Sequence, residues 1–321
     1  MADTVQAAAG APGTGKGVAA RLIGVITSPG EAMREIVSKP NAAPPLVVYL
    51  VCISLLLMFW GMRANWEVIV TDQIENFPLM QMAPDQAKDQ AVQQAVERIR
   101  LQTRTQLAIG NATNALLFIT AFFHLMAVFY ATLFVLMGSL TSLRLGRAWL
   151  QFGLCLLLLI GWGIVQFIAG TAFGPESQSA TMLAVTSTLL ALAGWIWLMM
   201  RHARTDEAFH KILSVCTYAT AIRLVGMVVA ATIILANPAT SEIPFEKLMK
   251  SSVGSWVSLK IPILDALLRS LDVFTLWLLA ILTIGFRAAT GLSAGVAAMV
   301  TLLPWGVIVL IKLAWAAATG S

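Results

Sequence analysis

Ile261-Pro-Ile-Leu-Asp265-Ala-Leu-Leu-Arg269-Ser-Leu-Asp272-Val-Phe-Thr-Leu-Trp277-Leu-Leu-Ala-Ile-Leu-Thr-Ile-Gly285-Phe-Arg287-Ala-Ala-Thr-Gly291-Leu-Ser-Ala-Gly295 opens with three ionisable groups and then carries none from Val273 to Phe286. Spacings of four and three put Asp265, Arg269 and Asp272 on one face of a helix. Residues 263–286 then read as a membrane-spanning helix, because about 20 largely apolar residues cross a bilayer core. Ionisable groups carried into such a helix are held there for a structural or a functional reason.

The rest of the chain agrees with a membrane setting. Of 321 residues, 58% are hydrophobic and 12% charged, against about 25% charged in an ordinary soluble domain. Further uncharged or nearly uncharged runs predict spans at 41–62, 107–138, 148–173, 180–200, 212–236 and 293–317. The fold class is therefore all-α: a polytopic transmembrane helix bundle of about seven spans. Spans three and four are the two that could be re-entrant in part. The net charge of +5 comes from basic residues scattered between apolar runs, with no dense cluster interleaved with aromatics, so nucleic acid is not an expected partner. Cys52, Cys155 and Cys216 sit singly in apolar runs and form neither a disulfide framework nor a CxxC site. The N-terminus lacks the layout of a cleavable signal, so the first span is expected to stay in the mature chain.

Residues 1–15 are rich in Ala, Gly, Thr and Pro and read as a disordered tail. Within and just after them, Gly10-Ala-Pro-Gly-Thr-Gly15-Lys16-Gly17 matches the spacing of a phosphate-binding loop. No strand precedes it, and Gly17 and Val18 stand where a magnesium-holding Ser or Thr is required, so it is a chance match and no nucleotide is expected. Residues 16–40 turn amphipathic. Val18, Leu22, Val25 and Ile26 share one face, opposed by Lys16 and Arg21. Ser28-Pro29-Gly30-Glu31 then starts a second helix, with Ser28 as cap and Pro29 in the first turn. Two readings are open: interfacial helices on lipid headgroups, or a short packed cytosolic pair. Residues 63–106 form the most polar stretch, an extramembrane helical insert with no His, no Cys and no tight carboxylate cluster.

Arg144 and Arg147, the connection from Arg201 to Lys211, and Arg287 all fall on the side of the basic N-terminal helices. By the positive-inside rule that side is cytoplasmic, although Lys247, Lys250 and Lys260 stand on the other. The expected address is a cell (inner or plasma) membrane, multi-pass, with the N-terminus cytoplasmic.

The blocks Arg21-Leu22-Ile23-Gly24-Val25, Ser28-Pro29, Pro44-Pro45-Leu46, Leu271-Asp272-Val273-Phe274-Thr275-Leu276-Trp277, Ile284-Gly285-Phe286 and Gly291-Leu292-Ser293 resemble the Yip family, membrane proteins of the Ypt/Rab-interacting type, and more closely its prokaryotic members. Phe209–Tyr218 resembles it more loosely. The signature residues are Ser28, Pro29, Asp272, Phe274, Trp277 and Gly285. The resemblance implies a five-span core, so that residues from about Gly138 to Arg204 form an extra hairpin. For prokaryotic members it implies a fold and a membrane address, with no agreed activity; the expected partners of this chain are membrane lipids and other membrane proteins, such as a transporter. The cytosolic tail credited with Rab binding has no match here.

The candidate polar cluster comprises Arg223, Asp265, Arg269, Asp272 and His124. In one reading Arg269 bridges the two acids and Arg223 pairs with Asp272 across the bundle, which offsets part of the cost of burying charge. In the other these groups line a path for a proton, an ion or a lipid headgroup. His124, among Phe122, Phe123 and Leu125, reads as an interhelical hydrogen-bonding contact. No catalytic pattern, cofactor motif or metal-ligand set accompanies it. The expected function is a non-enzymatic scaffold or accessory protein; the alternative is a transporter or channel with a cavity around Asp272 and Arg223.

Overall fold

The computed structural model describes residues 17–75, 80, 83–140, 143–173, 177–237, 241–243, 245 and 261–319. Residues 1–15, with most of the glycine-rich motif, lie outside them. The described elements are helical: α1 (Val18–Thr27), α2 (Pro29–Ser38), α3 (Ala43–Gly61), α4 (Trp66–Glu75), α5 (Asp85–Arg100), α6 (Arg104–Leu136), α7 (Leu145–Phe173), α8 (Gln178–Thr205), α9 (Glu207–Ala219), α10 (Ala221–Ala236), α11 (Pro262–Ser270), α12 (Val273–Thr290) and α13 (Ala294–Thr319). Seven stretches are long and apolar enough to cross a membrane: α3, α6, Leu145–Ala169 of α7, Met182–Thr205 of α8, α9 with α10, α12 and Ala294–Ala318 of α13. The chain is an all-α polytopic helix bundle, a multi-pass membrane protein.

The packing centres on α9. A membrane helix normally turns one side to lipid, but here Phe209 and every residue from Ile212 to Ala219 are buried. Helices α1, α2, α3, α6, α8, α10 and α12 all pack against it. The predicted span 212–236 is thus extended to Glu207 and interrupted at Thr220. Two threonine hydroxyls bring this about. Thr217 donates back to Leu213 O (3.0 Å), Thr220 donates back to Thr217 O (2.6 Å), and Arg223 N–H closes a tight turn on Thr220 O (2.8 Å). Such back-bonding competes with the regular ladder and bends it.

The N-terminal helices turn their apolar faces onto the protein. Val25, Met33 and Ile36 have no exposed surface, and α2 lies against α12 and α9. Arg21, expected on the polar face, is buried instead. Its guanidinium bonds Glu35 of α2 (Nε to Oε1, 3.2 Å) and Lys39 O (3.3 Å), and it also reaches the hydroxyl of Tyr218 on α9. A Cβ placed on Gly285 of α12 would stand 2.5 Å from Val215 Cγ1 and 3.1 Å from Met33 Sδ. Only glycine lets these three helices approach so closely.

Helices α7 and α8 form a hairpin docked on α6, and most of its residues lie outside the protein core, only 17% and 22% of the apolar stretches of α7 and α8 being buried. Both are helical throughout, 29 and 28 residues long, as full spans require. Without a hydrophobic drive between helices in lipid, polar pairs carry part of the association. Trp162 Nε1–H donates to Thr188 Oγ1 (2.8 Å), and Gln166 Nε2–H₂ reaches Ala184 O (2.9 Å) and Thr188 Oγ1 (3.0 Å). In the polar insert, α4 and α5 pair with each other, joined by Arg100 gripping both oxygens of Glu67 at 3.0 Å.

Candidate functional site

The stretch quoted first is not one helix. Helix α11 ends at Ser270, Leu271 takes a non-helical backbone (φ −87°, ψ 74°), and Asp272 (φ −94°, ψ 131°) caps α12. Asp272 Oδ2 accepts the Thr275 N–H (2.8 Å) and the Thr275 hydroxyl (2.7 Å). A short carboxylate gains more by satisfying an open N–H at a helix start than by continuing the preceding helix. Asp265, Arg269 and Asp272 therefore do not share a face. Asp265 and Arg269 form an ion pair on α11, ahead of the span, with Arg269 largely exposed. One oxygen of Asp265 is buried with no hydrogen-bond partner among the described residues.

The expected Arg223–Asp272 bridge is not formed either: among the described residues no ion pair joins them. Arg223 lies in the first turn of α10 and its charge acts on Tyr49 of α3. The five residues grouped from sequence thus fall into separate places: Asp265 with Arg269, Asp272 at a cap, Arg223 beside α3, and His124 elsewhere.

His124 is the one that belongs to a built site. It is buried on α6 and accepts the Trp195 indole N–H at Nδ1 (3.1 Å), which leaves its ring proton on Nε2. Across from it lies His202 of α8, with ring centroids 6.4 Å apart. Phe209 of α9 stacks on His202 at 3.8 Å, and Phe152 of α7 meets His124 edge-on at 5.5 Å. His124 Nε2 and both nitrogens of His202 are buried with no hydrogen-bond partner among the described residues. Buried polar atoms are paired in the great majority of cases, so three unpaired imidazole nitrogens in one cage mark this place out. The cage lies where the hairpin α7–α8 meets α6 and α9.

In the sequence, His202 is one member of the basic connection from Arg201 to Lys211. A usable signal was present, since Trp195, Met199 and His202 recur at helical spacing and are all buried.

Beside the cage, the start of α7, the end of α8 and the start of α9 border an open pocket of about 350 Å³ lined by Arg144, Arg147, Thr205, Asp206, Glu207 and Ala208. Asp206 builds it: Oδ1 accepts the Phe209 N–H (3.1 Å) and Oδ2 the Arg144 N–H (3.3 Å). One carboxylate thus caps α9 and ties the loop before α7 to it. No group of three or more metal-ligating side chains occurs among the described residues.

No family model matches this chain, and no curated protein or solved structure does.

Proposed function

We propose that this membrane protein is a non-enzymatic scaffold of the Yip type, acting by binding partners or organising the membrane from its N-terminal face. One observation carries the reading. Blocks distant in sequence that bear the Yip resemblance meet in one packed unit: Arg21 bonds Glu35 and reaches Tyr218, and Met33, beginning one turn after Ser28-Pro29, packs against Gly285 and Val215. Such a unit presents a fixed helical surface, formed by α1 and α2, at the end of the bundle that also carries Arg287. The basic connections around Arg144, Arg147, Arg201 and Arg204 favour a cytoplasmic N-terminus in a cell membrane.

In the alternative, a transporter or channel, Asp272 and Arg223 would line the path. Their separate roles as a helix cap and as a neighbour of Tyr49 give that reading little to work with.

The test is cross-linking of the intact protein in its own membrane through a photoreactive residue at exposed Ile23 on α1, with mass-spectrometric identification of what is captured. The scaffold reading expects a reproducible protein partner, lost when Ala19, exposed one turn away on the same face of α1, is replaced by Asp while the photoreactive residue stays at position 23. A robust solute flux in reconstituted vesicles, abolished by Asp272→Asn, together with no captured partner, would reverse the choice.

A further inference from the structure

The pocket between α7, α8 and α9 is lined by two arginines that make no ion pair among the described residues. Among the described residues neither the Arg144 nor the Arg147 side chain has a hydrogen-bond or ion-pair partner. The two carboxylates that line the same pocket are otherwise engaged. Asp206 spends both oxygens on backbone N–H groups, and Glu207 is paired with Lys211 at 2.7 Å. The starts of α7 and α9 both border the pocket, and their first-turn dipoles add positive potential to it. Two arginines at a spacing of three, free of ion pairs beside carboxylates that are already bonded, favour an oxyanion with several acceptor oxygens.

Its position narrows the ligand. Leu145 begins one membrane-spanning stretch, Thr205 ends the next and Glu207 begins a third, so the pocket sits where three spans leave the apolar layer. One turn inward, Trp149 is exposed and donates its indole N–H to Thr132 Oγ1 (3.1 Å), the placement of an interfacial aromatic. Leu150 and Leu154 are exposed below it, in the layer that acyl chains would occupy.

We propose that Arg144 and Arg147 form a site for a phosphate group, carried by an anionic lipid headgroup or by a free phosphate. The site rests on the chain spanning a membrane and is independent of the scaffold reading.

The experiment is titration calorimetry of the full-length protein in a non-ionic detergent with three probes: dihexanoylphosphatidylglycerol, dihexanoylphosphatidylcholine and inorganic phosphate. Saturable binding of the glycerol lipid is expected, with weaker binding of the choline lipid. Arg144→Gln with Arg147→Gln should weaken it by about tenfold or more, the loss of charge-assisted bonds, while Arg104→Gln at the other end of α6 should not. If inorganic phosphate binds as tightly as the glycerol lipid and with the same arginine dependence, the source is free phosphate. Binding of neither probe, or equal binding by the double variant, would overturn the site. Should that variant not fold, phenylglyoxal labelling of the wild-type protein decides: the glycerol lipid or phosphate must protect Arg144 and Arg147, and no protection sinks the proposal.

Discussion

Asp272 shows how far a single residue can be read from sequence and where the reading ends. That an acid directly before fourteen uncharged residues has a specific task was legible from spacing and polarity. Which task was not, because a cap and a face residue have the same sequence neighbourhood until the backbone turns at Leu271. As a cap, Asp272→Ala should cost about 1 kcal/mol. Since Arg223 is not its ion-pair partner, Arg223→Ala should add to that loss independently, within about 0.5 kcal/mol in the double variant. Thermal melting in detergent measures this, and rescue of one change by the other would restore the ion-pair reading. Gly285 is the opposite case, a residue whose role depends on what two other helices bring to it. Gly285→Ala places a methyl against Val215 and should destabilise the fold by about 1–3 kcal/mol. Val215→Ala in the same chain removes the obstructing methyl groups and should return part of the loss.

At the scale of elements, the spans were legible because a bilayer imposes length and apolarity, and both are written in the one-dimensional chain. Their interruptions were less so. Neither Leu271 nor Thr220 is a glycine or proline; the breaks come from side-chain oxygens bonding backbone, which composition does not reveal. The all-round burial of α9 is not legible in the chain for a related reason: a helix buried all round and one facing lipid are equally apolar. The His124–His202 cage needed two helices in contact before either imidazole had a neighbour. In the polar insert, Arg100 holds the Glu67 carboxyl below the usual glutamate value of 4.5 through its hydrogen bond. A depressed folded value means that the pairing contributes above the unfolded value and is lost as pH falls through the folded one. The α4–α5 contact should therefore survive acidification to about pH 4.5 and loosen only below it. Amide exchange of α5 against pH measures this, and Arg100→Gln should remove the acid step.

Across the whole molecule, the N-terminal helices are a structural part of the bundle. Met33 has no exposed surface, whereas Leu190 on α8 is 69% exposed. Met33→Ala should cost about 2–5 kcal/mol as a buried truncation, and Leu190→Ala much less; comparable melting shifts would mean that α2 does not hold its place in the membrane-bound protein. This arrangement fixes an order of assembly. The seat of α2 is made by α9 and α12, which the ribosome delivers roughly 170 and 240 residues later. At about 5–20 residues per second the amphipathic pair must wait on the order of ten seconds or more with Val25, Met33 and Ile36 uncovered. During that interval it is a ligand without a receptor, open to a chaperone or to the membrane surface, and the moment Gly285 arrives is the moment the chain closes on its own beginning.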